Sequence, residues 1–177
     1  MTFRKAWALA LMGLAVAGPA GAGAVGLCSP GEEPVLSCPV EGGKVLSLCA
    51  TGAGGPAAGL KLQYRFGRPG KPELVYPDRP ASAKGRFFLS TTPFSGGGEE
   101  RVRFRSGPYD YLVFQRDIAG AWNEDGTRDH YQDEGVAVEK DGKVVGVRLC
   151  LGPTENSGFP KMYDRLEREA RDPIDRP

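Results

Sequence analysis

Between Val35 and Cys150 apolar and polar residues alternate in short runs, and each run stops at a glycine, a proline or a polar cluster. Residues 35–38, 44–50, 60–66, 73–76, 86–90, 101–105, 109–116, 136–139 and 143–150 have the length and period of strands. Strict alternation, as in Val102-Arg103-Phe104-Arg105, buries one face of a strand and leaves the other wet. The clearest hairpin turns at Lys140-Asp141-Gly142-Lys143, where Asp-Gly supplies the two positive φ angles of a type I′ turn. A second is expected at Ser106-Gly107-Pro108. Residues 51–59, 68–72, 77–85, 93–98 and the polar stretch 119–135 read as connections. After Cys150 the period changes. Phe159, Met162, Tyr163, Leu166 and Ala170 fall at helical spacing, with Ser157 upstream and Pro160 in the first turn, which predicts a short amphipathic helix packed on the sheet and a tail that frays from Asp172. The expected fold is mainly β: one antiparallel barrel or sandwich of about eight to nine strands with a short C-terminal helix.

The start of the chain has a different pattern. Arg4 and Lys5 precede an apolar run, 6–17, and then small residues to Gly26, the charge, core and cleavage order of a secretory leader. Ala20-Gly21-Ala22 and Ala22-Gly23-Ala24 both fit the cleavage rule, and the second is preferred, giving a leader over 1–24, a disulfide-tied β domain over 25–151 and a helical tail over 152–177. Lipidation at Cys28 is disfavoured by Leu27, because that chemistry wants a small residue just before the cysteine. The apolar run is well short of the roughly 20 residues that span a bilayer, so no membrane span is expected. Removing Arg4 and Lys5 takes the 23 basic side chains to 21 against 22 acidic ones. A near-neutral chain lacks the basic excess of a nucleic-acid binder. Its 26 glycines and 15 prolines are read as turns, and about 150 mature residues make one core.

Cys28, Cys38, Cys49 and Cys150 all lie beyond the leader, in a compartment where disulfides persist. Three pairings are open. A two-residue turn at Gly42-Gly43 would put Cys38 opposite Ser47 and Cys49 on the same face one pair along, at the outer limit of bridging distance. The expected pairing is therefore Cys38 with Cys49 and Cys28 with Cys150.

Several chemistries lack their residues. Glycine spacings at 21–26 and 52–57 mimic a dinucleotide fingerprint, but the first is in the leader and the second precedes a strand rather than a helix. The single histidine, His130, lies in a polar stretch beside Asp129 and Asp133, and no nucleophile motif accompanies it. Aligning Asn123, Asp125 and Gly126 with a calcium loop puts Ala121 and Gln132 at positions that need carboxylates. Glu73, Asp110 and Glu139 alternate with apolar neighbours and are expected to face water. No cofactor and no metal is expected.

Leu36-Ser37-Cys38, Val45-Leu46-Ser47-Leu48-Cys49-Ala50, Tyr64-Arg65-Phe66-Gly67, Arg103-Phe104-Arg105-Ser106-Gly107-Pro108-Tyr109-Asp110-Tyr111, and Gly135-Val136-Ala137-Val138 followed by Asp141-Gly142-Lys143 resemble a group of small uncharacterised exported proteins of Gram-negative bacteria. This resemblance implies a periplasmic or secreted location and supplies no activity. A second similarity is to the periplasmic inhibitors of C-type lysozymes, small β-barrels that block the lysozyme cleft with a Ser-Gly-x-x-Tyr loop. The comparable stretch, Ser106-Gly107-Pro108-Tyr109, is one residue short, and that family's second motif has no counterpart.

The function expected is that of an exported, non-enzymatic binding protein of the envelope. Its partner would be an unknown protein or cell-wall ligand, and inhibition of a cell-wall-degrading enzyme is one form of this reading. Ser106, Gly107, Tyr109 and Tyr111 are the expected binding loop. The alternative is a cell-wall hydrolase whose paired carboxylates carry no sequence signature.

Overall fold

Every alternating run becomes a strand in the computed structural model, which describes residues 26–52, 59–152, 154–155, 158–172 and 174. The leader over 1–24 and Ser157 lie outside the described residues. β1 (Glu33–Val40), β2 (Lys44–Thr51), β3 (Lys61–Arg68) and β4 (Lys71–Ser82) form a four-stranded meander. β5 (Phe88–Phe94), β6 (Gly97–Ser106), β7 (Tyr109–Trp122), β8 (Arg128–Lys140) and β9 (Lys143–Leu149) form a second one. After a single helical turn, α1 (Phe159–Met162), the two residues of β10 (Glu167–Arg168) add to β5 in parallel, completing a six-stranded sheet. The described residues thus make ten strands in two sheets, a sandwich rather than a closed barrel.

The inner faces follow from the alternation. Leu46, Leu48, Ala50, Leu62 and Tyr64 from one sheet meet Leu89, Val102, Phe104, Val113 and Val136 from the other, and Phe159, Met162 and Leu166 plug one end. Phe104 is the centre of an aromatic cluster, with ring centroids 4.9 Å from Tyr64, 4.8 Å from Tyr76 and 5.0 Å from Tyr111. Such pairs add about 0.5–1.5 kcal/mol each beyond their area burial.

Turn chemistry sets the registers. Asp141 (φ 53°) and Gly142 (φ 73°) form the type I′ turn between Lys140 and Lys143. Gly107 (φ 58°) supplies the positive angle at the first central position of the turn joining Ser106 to Tyr109, the requirement of a type II′ turn.

The β1–β2 connection departs from expectation, and this re-pairs the cysteines. Its turn uses three residues, Glu41, Gly42 and Gly43, so Cys38 stands opposite Leu46 rather than Ser47. A one-residue slip exchanges the two faces of a strand. Cys38 therefore points into the core, whereas Cys49 points to the outer face. Bridges join Cys28 to Cys49 and Cys38 to Cys150, each with a Cα separation of 5.5 Å, in place of the expected 38–49 and 28–150 pairs. The second ties β1 to the end of β9.

The C-terminal expectation holds in part: the short helix is present. Phe159, Met162 and Leu166 are buried as their spacing predicts, but the helix is one turn long and the chain then straightens into β10. Of the described residues in the segment expected to fray, Ile174 is held. Arg101 and Thr92 side chains donate to the Arg171 carbonyl, the Ile174 amide donates to Glu99, and Ile174 is buried with Leu112, Phe114 and Ala137. An N-terminal strap mirrors it on the other sheet. Arg65 donates to both carboxylate oxygens of Glu32 and to the Leu27 carbonyl, and Cys28 is bonded to Cys49 below.

Candidate functional site

The hairpin expected to carry the binding loop lies at the end of the sandwich where the β3–β4 and β8–β9 turns also lie. Gly107 and Pro108 are exposed at the tip, and Ser106 and Tyr109 are half-buried as the pair that closes the turn. The Lys140 ammonium sits 5.9 Å from the Tyr109 ring centroid, so Tyr109 lies along the sheet. Tyr111 is two residues on and faces the same way, stacked nearly parallel on Phe104 at an interplanar angle of 5°. Burial, and then the neighbouring Tyr109, raise its hydroxyl above the usual tyrosine range.

Tyr111 also lines a groove of about 360 Å³ that opens at this end. Tyr64, Phe66 and Leu74 form one wall, from β3 and β4; Tyr111, Val136 and Val138 form the other, from β7 and β8. Val145 and Arg148 of the edge strand β9 complete the rim with Glu73. Lys44 holds Glu73 at 2.7 Å and lies 5.4 Å from the Phe66 ring centroid. The groove thus combines an aromatic and aliphatic lining with one acidic and one basic side chain at its edge, the composition of a small-ligand or side-chain pocket. The predicted residue Tyr111 belongs to it, whereas Ser106, Gly107 and Tyr109 stand beside it. Tyr64, Phe66, Leu74, Val136 and Val138 come from separate strands, and only the stacking of the two sheets brings them together.

The strand carboxylates are placed differently from the expectation. Only Glu73 is exposed. Asp110 is buried between Arg103 and Arg105, and Glu139 is paired with Arg171 at 2.8 Å. The outer face of the six-stranded sheet is consequently an ion-pair lattice under the C-terminal strap: Glu99, Arg101, Arg103 and Arg105 alternate along β6 and meet Asp110, Arg116 and Glu169, while Glu139 takes Arg171 of the strap. The Arg105 hydrogen bond holds Asp110 below the usual carboxylate range against its partial burial, with Arg103 adding to the effect.

The remaining motifs resolve as scaffold. His130 is exposed, and its partner through Nδ1 at 2.9 Å is Asp117 rather than Asp129 or Asp133. Asp125 accepts from the amide and hydroxyl of Thr127, at 2.9 and 2.6 Å, and so caps the β7–β8 turn. Cys28, Glu32 and Cys49 converge within 4.8 Å, the geometry of a metal site, but both sulfurs are spent in a disulfide and the carboxylate in its pair with Arg65. Glycines 52 and 59 approach closely at the mouth of the loop whose residues 53–58 lie outside the described set, and Leu60 then leads into β3 rather than a helix. Among the described residues no helix is long and apolar enough to cross a membrane.

Comparison with protein-family models, with curated proteins and with solved structures finds no match for this chain.

Proposed function

We propose that this is an exported, non-enzymatic binding protein that takes an apolar or aromatic group of its partner into the groove between the two sheets, with the 106–109 turn at the rim. The groove carries the reading: about 360 Å³ lined by Tyr64, Phe66, Leu74, Tyr111, Val136 and Val138, on a scaffold whose Cys38–Cys150 bridge fixes one sheet to the other. Rigid aromatic walls gain contact area at little cost in side-chain entropy. The leader-like start and two disulfides support an oxidising, extracytoplasmic compartment. The inhibitor form of this reading assigns the rim to a protein partner, and the groove to one of that partner's apolar side chains.

The test is a nuclear magnetic resonance titration of the purified protein with indole and phenol as probes of an apolar pocket. The reading expects saturable shifts centred on Tyr111, Val136 and Val138. Shifts confined to other regions, or none at millimolar probe, would remove its basis.

A further inference from the structure

The inner face of the six-stranded sheet outruns the core at the end opposite the groove. Tyr163 closes the core there by donating its hydroxyl to Glu100 Oε1. Past that point the face turns polar. Cross-strand pairing sets Thr91, Glu100, Gln115 and Glu134 in one row and Pro93, Gly98, Asp117 and Gln132 in the next. These rows form a cleft of about 520 Å³, larger than the apolar groove, which Thr91, Gly98, Glu100, Gln115, Asp117 and Gln132 help to line. Further along the same hairpin Trp122 pairs with Arg128, whose guanidinium lies 5.0 Å from the indole ring centroid, and Trp122 is 70 % exposed.

The lining selects among ligands. No lysine or arginine contributes to it, so it offers no charge-assisted grip on a phosphate or a carboxylate. Its side chains are carboxylates, amides and a hydroxyl, which offer acceptors and donors in closely spaced pairs. Glu100 closes the cleft wall, with Oε2 buried and Oε1 taken by the Tyr163 hydroxyl, and the accessible polar side chains are the half-exposed Asp117 and the exposed Gln132. Gly98 keeps the floor open: a Cβ built there comes no closer than 3.7 Å to any atom, so the space above it belongs to the cleft. Vicinal hydroxyl groups on a ring match such a set of planar acceptors and donors, and an exposed indole is a stacking surface for the apolar face of an adjoining ring.

We propose that this cleft is a carbohydrate site: it holds a neutral pyranose unit of an oligosaccharide through Asp117 and Gln132, and a neighbouring unit stacks on Trp122. The site is separate from the apolar groove and does not rest on it.

Isothermal titration of the whole purified protein with cellotriose and with tri-N-acetylchitotriose tests this, with spermidine as the alternative ligand of an acidic cleft. At least one trisaccharide should bind. Gly98→Val, which fills the floor with a side chain suited to a strand, should weaken that binding at least about tenfold with little change in melting temperature. Gln132→Ala, on an exposed side chain, should weaken it as well, and carries the comparison alone if the valine variant does not fold. Filling the apolar groove by Val138→Phe should leave sugar binding intact. The proposal fails if neither trisaccharide binds, if spermidine alone binds, or if sugar binding survives the cleft substitutions unchanged.

Discussion

Arg103 on β6 grips the carboxylate of Glu169 through three hydrogen bonds of 2.6 to 2.9 Å, across 66 residues of chain. The pair anchors the C-terminal strap to the outer face of the six-stranded sheet, and both side chains are more than four-fifths buried. Without Glu169 the largely desolvated Arg103 keeps only Asp110, at 3.1 Å through a single nitrogen, and loses three charge-assisted hydrogen bonds. Glu169→Ala should therefore cost about 2 kcal/mol in urea unfolding. A loss under about 0.5 kcal/mol, the value of a surface pair, would mean that the strap is held without it.

The disulfides differ in the loops they close. Cys38–Cys150 spans 112 residues and Cys28–Cys49 spans 21, which chain entropy values at about 5 and about 3 kcal/mol. Replacing the 38–150 pair by alanines should lower the denaturant midpoint more than replacing the 28–49 pair. Non-reducing peptide mapping should recover these two linkages and neither of the 38–49 and 28–150 forms.

Two carboxylates should give stability opposite pH dependences. Burial raises Glu100, so its folded form holds the proton more tightly than the unfolded chain does. That contribution is complete below the ordinary carboxylate range and is lost as pH rises through the folded value. Glu32 is the reverse: burial pushes it up, but hydrogen bonds from Arg65 and the Ser29 amide, with the Arg65 charge, hold it below its ordinary value. Its contribution is present above the unfolded value and is lost as pH falls. Melting curves between about pH 3 and about pH 7 should show Glu100→Gln gaining on the wild type as pH rises, and Glu32→Gln falling behind it.

Neighbouring tyrosines of the hairpin should separate by stability. Tyr111 stacks on Phe104, and its removal should cost about 2–4 kcal/mol by cavity formation. Tyr109 lies at the tip against Lys140, and Tyr109→Ala should stay within about 1 kcal/mol of the wild type. Equal losses in thermal or urea unfolding would show that the tip is part of the core.

Strand existence was readable because alternation and turn residues agree locally. Asp141-Gly142 specifies its turn without help from the rest of the chain. Cysteine pairing was not readable, because it depends on whether Glu41 joins Gly42 and Gly43 in the turn, a difference of one residue that moves Cys49 to the other face. The spacing of Phe159, Met162 and Leu166 identified buried positions and a short helix, but carried that helix past the one turn it keeps. Pairing with the β5 edge extends the chain after the first turn. Of the expected site, Tyr111 lines the groove. Its other walls are ordinary inward positions of four strands, and nothing in their local sequence separates them from core. Glu100 and Asp117 likewise acquire a shared cleft only through the register of β6 on β7.

The central claim is that the apolar groove is where a ligand binds. Its most direct test is isothermal titration of indole into the wild type and into Val138→Phe, whose larger ring occupies the space between Tyr111 and Val145. The wild type should bind indole, and the filled variant should bind at least about tenfold more weakly at an unchanged melting temperature. Equal affinity in the two proteins would place the ligand elsewhere and contradict the account.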